Sequence, residues 1–72
     1  MDRQMLLEHL AKANEHIEVG EQNVRRQREL ILKLERDGHD SREGKKLLTQ
    51  FEKLLAMHKV DRDRIEKELA EG

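Results

Sequence analysis

The sequence has no cysteine, no proline, no tryptophan and no tyrosine, and Phe51 is its one aromatic residue. Without cysteine there is no disulfide framework and no thiolate metal site, and the chain fits a reducing compartment. Without proline nothing interrupts a helix from within. The apolar runs, such as Leu30-Ile31-Leu32, are far shorter than the roughly 18 residues that span a bilayer. The first residues, Met1-Asp2-Arg3-Gln4, lack the charged-then-apolar pattern of a secretory leader. The expectation is a soluble, cytoplasmic protein with no membrane association. Charge of a single sign is missing too. Charged residues make up 43 % of the chain, yet the net charge is −1. Such a balance argues against a dedicated nucleic-acid or membrane-surface binder. With 72 residues, the chain makes at most one small domain, and a domain of that size buries too little surface to be more than marginally stable alone.

Leucine, glutamate, arginine, glutamine, lysine and alanine dominate, and these lose little side-chain freedom on a helix. Apolar residues recur with a helical period. Leu10, Ile17, Val24 and Ile31 are spaced by seven, with Leu6, Ala13 and Leu34 interleaved and Gly20 and Gln27 as gaps. A sustained seven-residue repeat marks a coiled-coil seam. The row Glu21, Arg25, Glu29, Lys33, Asp37 alternates in sign at four-residue steps, and each such pair adds about 0.2–0.5 kcal/mol to an exposed helix. A disordered charged tail has no reason to carry both features. Further on, Leu48, Phe51, Leu55, His58, Arg62, Ile65 and Leu69 step by three and four, and Leu47 and Leu54 widen the stripe in its first half.

Between the two patterns stands Glu35-Arg36-Asp37-Gly38-His39-Asp40-Ser41. Gly38 is placed to end a helix in the left-handed conformation. Asp40 is expected as the next N-cap, with Glu43 as its reciprocal partner three residues on. The reading is one domain over 1–72: helix 1 over about 2–36, a turn at 37–40 and helix 2 over about 41–70. A link this short joins antiparallel neighbours. Folding about Gly38 sets Ile31 against Leu48, Val24 against Leu55, Ile17 against Arg62 and Ala13 or Leu10 against Ile65 and Leu69, with Gly20 opposite His58 and Lys59. The fold class is all-α: an antiparallel, coiled-coil-like two-helix hairpin. Near the turn the apolar set Leu30, Ile31, Leu34, Leu47, Leu48, Phe51, Leu54 and Leu55 is wider than one helix–helix stripe. Two hairpins pairing as a four-helix bundle would bury the surplus. These eight residues are the expected homodimer or partner interface, and a partner helix is the other candidate occupant.

The segments Arg26-Gln27-Arg28-Glu29, Leu34-Glu35-Arg36-Asp37-Gly38-His39-Asp40, Leu47-Leu48, Phe51-Glu52, His58 and Asp61-Arg62-Asp63-Arg64 carry a resemblance. From about Gly20 to Ile65 the chain resembles a group of small uncharacterised bacterial helical-hairpin proteins of rhizobial type, of unknown function. The resemblance implies a bacterial, cytoplasmic, stand-alone protein and no particular chemistry.

The residues themselves give little support to catalysis. Ser41 and Thr49 are the only hydroxyl side chains, no glycine-rich phosphate loop is present, and a two-helix rod offers no water-shielded cleft for acid–base work. No enzyme activity, cofactor or metal is expected. His9 and His16 stand two turns apart, about 10 Å, too far to share an ion within one chain. His58 on the apolar stripe is expected to be partly buried and bonded to a polar neighbour, and His39 to be a loop residue. Two alternatives to a non-catalytic interaction or scaffold module remain open. His9-Leu10-Ala11-Lys12-Ala13 is faintly similar to the His-x-x-Lys-Gly pattern of bacterial histidine phosphotransfer modules, departing from it at Ala13. Arg25-Arg26-Gln27-Arg28, with Lys33, Arg36, Arg42, Lys45 and Lys46, biases the turn-proximal half toward positive charge and toward weak nucleic-acid binding.

Overall fold

The computed structural model describes residues 2–72. They form two helices, α1 (Arg3–Arg36) and α2 (Arg42–Glu71), joined by the loop 37–41 and packed against each other as a hairpin. The rod measures 54 × 14 × 13 Å. No strand occurs among the described residues, and no helix is long and apolar enough to cross a membrane.

α1 starts on Asp2, whose backbone is extended and whose Oδ1 accepts the amide N–H of Gln4 at 2.6 Å and of Met5 at 3.4 Å. These are two of the donors that a helix start leaves without partners. α1 ends at Gly38. Its φ of +76° is the one left-handed backbone conformation among the described residues. The Gly38 N–H donates to Glu35 O and the His39 N–H to Leu34 O, at 3.2 and 2.8 Å. This is the paired 5→2 and 6→1 closure of a Schellman motif.

The start of α2 differs from the sequence expectation. Asp40 and Glu43 do not form a capping box. Helix entry shifts one residue to Ser41, which makes no side-chain cap bond. Asp40 Oδ1 accepts the Arg42 amide N–H at 2.9 Å, and its carboxylate also holds the Arg42 guanidinium, at 2.7 Å from Nη2 to Oδ2. That arrangement holds Asp40 below the usual carboxylate range, chiefly through the side-chain bond from Arg42. Glu43 instead reaches Lys46 at 3.5 Å.

The seven-residue seam of α1 is the buried stripe. Leu6, Ala13, Ile17, Val24 and Ile31 are buried, and so is Gln27. On α2, Leu48, Phe51, Leu55, His58, Arg62 and Leu69 are half-buried, and Ile65 is buried. At the free ends Ala13 and Leu10 share a cluster with Ile65 and Leu69 as expected, but at Gly20 and Gly44 the register is about one helical turn away from the sequence expectation. Ile31 faces Gly44 rather than Leu48, and Gly20 faces Leu55 rather than His58. A β-carbon on Gly44 would stand 3.2 Å from Ile31 Cγ1, and one on Gly20 would stand 3.1 Å from Leu55 Cδ1. Each glycine therefore receives a large side chain of the other helix, which lets the backbones approach. Gln27, read as a gap in the seam, is part of the lock: its Nε2 donates to Gly44 O at 3.0 Å. Its amide sits in a seam of apolar residues with its hydrogen bond made, so burial leaves no polar atom orphaned.

Candidate interaction surface

The two flanks of the hairpin differ in chemistry. On an α-helix, residues two apart point about 200° from each other at 3.6 residues per turn. Along one flank run inter-helix ion pairs: Arg28 to Glu52 at 3.2 Å and Lys45 to Glu35 at 3.0 Å. Glu35 also accepts from Ser41 Oγ at 3.2 Å. One carboxylate thus ties the end of α1 to both the loop and the first turn of α2. Its pKa is held below the ordinary value by the hydrogen bond and charge of Lys45 and then by Ser41.

Two residues on from Arg28, Lys45 and Glu52 stand Leu30, Leu47 and Leu54. They line the opposite flank and are 47 %, 39 % and 52 % exposed. The eight residues expected at an interface are therefore divided by the fold. Ile31 is buried inside the hairpin, Leu34, Leu48, Phe51 and Leu55 are half-buried between the helices, and Leu30, Leu47 and Leu54 face outward beside them. Leu32, Met57 and Val60 are exposed farther round the rod, at 63–68 %.

His58 and His39 lie where the sequence pattern put them, but the partner of His58 differs. His58 is half-buried, and it stacks on His16 of α1, with ring centroids 4.9 Å apart and planes 14° from parallel. It meets an aromatic partner where a polar bond was expected. The signal was present, since both residues flank the seam, but it becomes visible only in the observed register. His9 is exposed and lines the same shallow groove, together with Lys12, Asp61 and Arg64. Among the described residues no three histidine or carboxylate side chains are grouped to hold a metal ion. His39 is exposed in the loop.

Of the basic residues near the turn, Arg28, Arg42, Lys45 and Lys46 each lie within ion-pair distance of a carboxylate. Another groove opens on the ion-paired flank, lined by Glu21, Arg25, Arg28, Glu52, Leu55 and Lys59. It mixes both signs of charge over an apolar floor. Comparison with protein-family models, with curated protein sequences and with solved structures found no match.

Proposed function

We propose that this chain is a non-catalytic interaction module that works as a homodimer, two hairpins joined through the Leu30, Leu47 and Leu54 flank as a four-helix bundle. The observation that carries the reading is surface area. The hairpin exposes 5742 Å². A compact monomer of its 8.6 kDa mass would expose about 4,700 Å². The excess, about 1,000 Å², follows from the 54 × 14 × 13 Å rod shape, and it leaves room for the ~800 Å² that each partner contributes to a stable interface.

A second copy is the favoured occupant because the flank is self-complementary. It is apolar where the opposite flank carries ion pairs, so it loses little charge hydration when covered, and a two-fold axis sets leucine against leucine. The shifted groups at the turn, Glu35, Asp40 and Arg42, owe their shifts to exposed ion pairs and hydrogen bonds rather than to a shielded cleft, which gives catalysis no support. The nucleic-acid alternative loses support from the carboxylate partners of Arg28, Arg42, Lys45 and Lys46. Phosphotransfer keeps only the exposure of His9. On resemblance alone, the chain belongs with cytoplasmic proteins of bacteria.

Sedimentation velocity at micromolar concentration tests the proposal. The expected species has about twice the 8.6 kDa chain mass. Leu47→Glu with Leu54→Glu should shift it to monomer, while Met57→Glu, on a more exposed position, should not. A helical wild-type monomer at 100 µM would overturn self-association and leave the leucine flank to a foreign helix.

A further inference from the structure

We infer that the stacked pair of His16 and His58 is an acid-sensitive joint, one that holds the open half of the hairpin closed less firmly once both imidazoles carry a proton. The pair bridges the two helices at a ring separation of 4.9 Å. It lies between the seam of the turn-proximal half and the small cluster at the free ends, where Leu6, Ala13 and Ile65 are buried and Leu10 and Leu69 pack on them. Among the described residues the buried apolar group nearest to the joint itself is Ile17, next to His16 in the chain.

One imidazolium stacks acceptably on a neutral ring, because the ring face attracts a cation. Two imidazolium rings face to face repel each other. His16 is exposed, so water screens the pair in part, but the neighbouring side chains give little relief. From α1 the groove receives His9 and Lys12, and from α2 it receives Asp61 and Arg64. Asp61 is the only carboxylate among them, and it already lies 3.5 Å from the Arg64 guanidinium. Arg62, one turn along α2 from His58, is held by Asp63 and Glu66 at 3.0 and 3.7 Å. Lys12 adds further positive charge. The unfolded chain separates the two rings, so double protonation costs nothing there. The contribution of the joint is therefore present while either ring is neutral and is lost when both carry a proton. Opening at the joint would uncover Leu6, Leu10, Ile65 and Leu69 while the turn-proximal half stays paired. The device is local to one end, and it does not depend on the dimer.

Thermal unfolding and amide hydrogen exchange of the full chain at pH 7.5 and 5.0 test it. In the wild type the unfolding midpoint should fall by about 4–8 °C. The opening equilibrium of amides in 6–17 and 58–69 should rise about fourfold or more, the repulsion expected for two unit charges at this separation even in water. Amides in 24–34 and 45–55 should change less. His58→Phe keeps a ring in the stack but takes no proton, and it should remove most of this pH response. His16→Gln should do the same, and its response decides the matter if the Phe variant does not fold. Carboxylate titration is common to all three chains and cancels in the comparison. Equal pH responses in the wild type and the folded variants would overturn the joint, as would acid opening that begins at the turn.

Discussion

The register of the hairpin yields a sharp test, because the chain has no cysteine of its own. A β-carbon built on Gly20 lies 3.5 Å from Leu55 Cβ, at the near edge of the 3.5–4.5 Å that disulfides span. The double variant Gly20→Cys, Leu55→Cys should therefore oxidise within one chain. The bridge would close a loop of about 35 residues and remove about 4 kcal/mol of unfolded-chain entropy. Against that stands the packing of Leu55, half-buried and worth about 1–1.5 kcal/mol, roughly half of a full leucine burial. Strain at the short separation takes a further part. The expected net gain is about 2 kcal/mol, a rise of roughly 10 °C in the unfolding midpoint. The control is Gly20→Cys, His58→Cys, the pair that apolar-to-apolar matching would set face to face. In the observed register its second cysteine is displaced by three residues, about 4.5 Å along the axis, and it should cross-link slowly and without stabilising. Non-reducing electrophoresis and intact mass separate the intramolecular bridge from linked dimers, and reversal on reduction gives the stability difference. Faster bridging in the control pair, or destabilisation by the 20–55 bridge, would refute the register and the account of Gly20 that rests on it.

Three further outcomes follow from the same geometry. At Gly38, φ is +76° and a β-carbon would meet nothing within 4 Å, so Gly38→Val isolates a backbone cost of about 1–2 kcal/mol; an unchanged thermal midpoint would show that Gly38 is not the helix stop. Glu35 has its pKa lowered by Lys45 and Ser41, so its contribution is present above the ordinary glutamate value and is lost as pH falls through the lowered one. Glu35→Gln should therefore reduce stability at pH 7 and flatten the acid limb of a stability–pH curve below about pH 4.5, and parallel curves would deny the bridge any role. Gln27→Leu exchanges a hydrogen bond worth about 1 kcal/mol for apolar burial. The midpoint should stay within a few degrees while bridging of the 20–55 pair slows, because α2 is then freer to slide; unchanged bridging would assign the register to the glycines alone.

The stripe of α1 was legible in its spacing. A seven-residue repeat of apolar side chains is buried wherever a second helix is at hand, and Leu6, Ala13, Ile17, Val24 and Ile31 obey it. The helix stop was legible as well, because glycine is the residue that reaches positive φ at little cost. The start of α2 was not. Asp40 had two possible uses for its carboxylate, a capping box or a turn around Arg42, and only the path of the loop selects the second.

Local sequence, then, determined the two helices, their facing stripes and the place where the chain turns back, since propensity, period and glycine act within a few residues. Tertiary structure decided what lies opposite what. A heptad seam moved by one turn presents almost the same apolar face, so periodicity does not distinguish Leu48 from Gly44 as the neighbour of Ile31. The choice came from close backbone approach at Gly20 and Gly44 and from the bond of Gln27 to the Gly44 carbonyl. That choice brought His16 onto His58. The fold, in pairing the helices through one stripe and joining their ion pairs along one flank, left Leu30, Leu47 and Leu54 uncovered on the other, because a rod of two helices has only one seam in which to hide them.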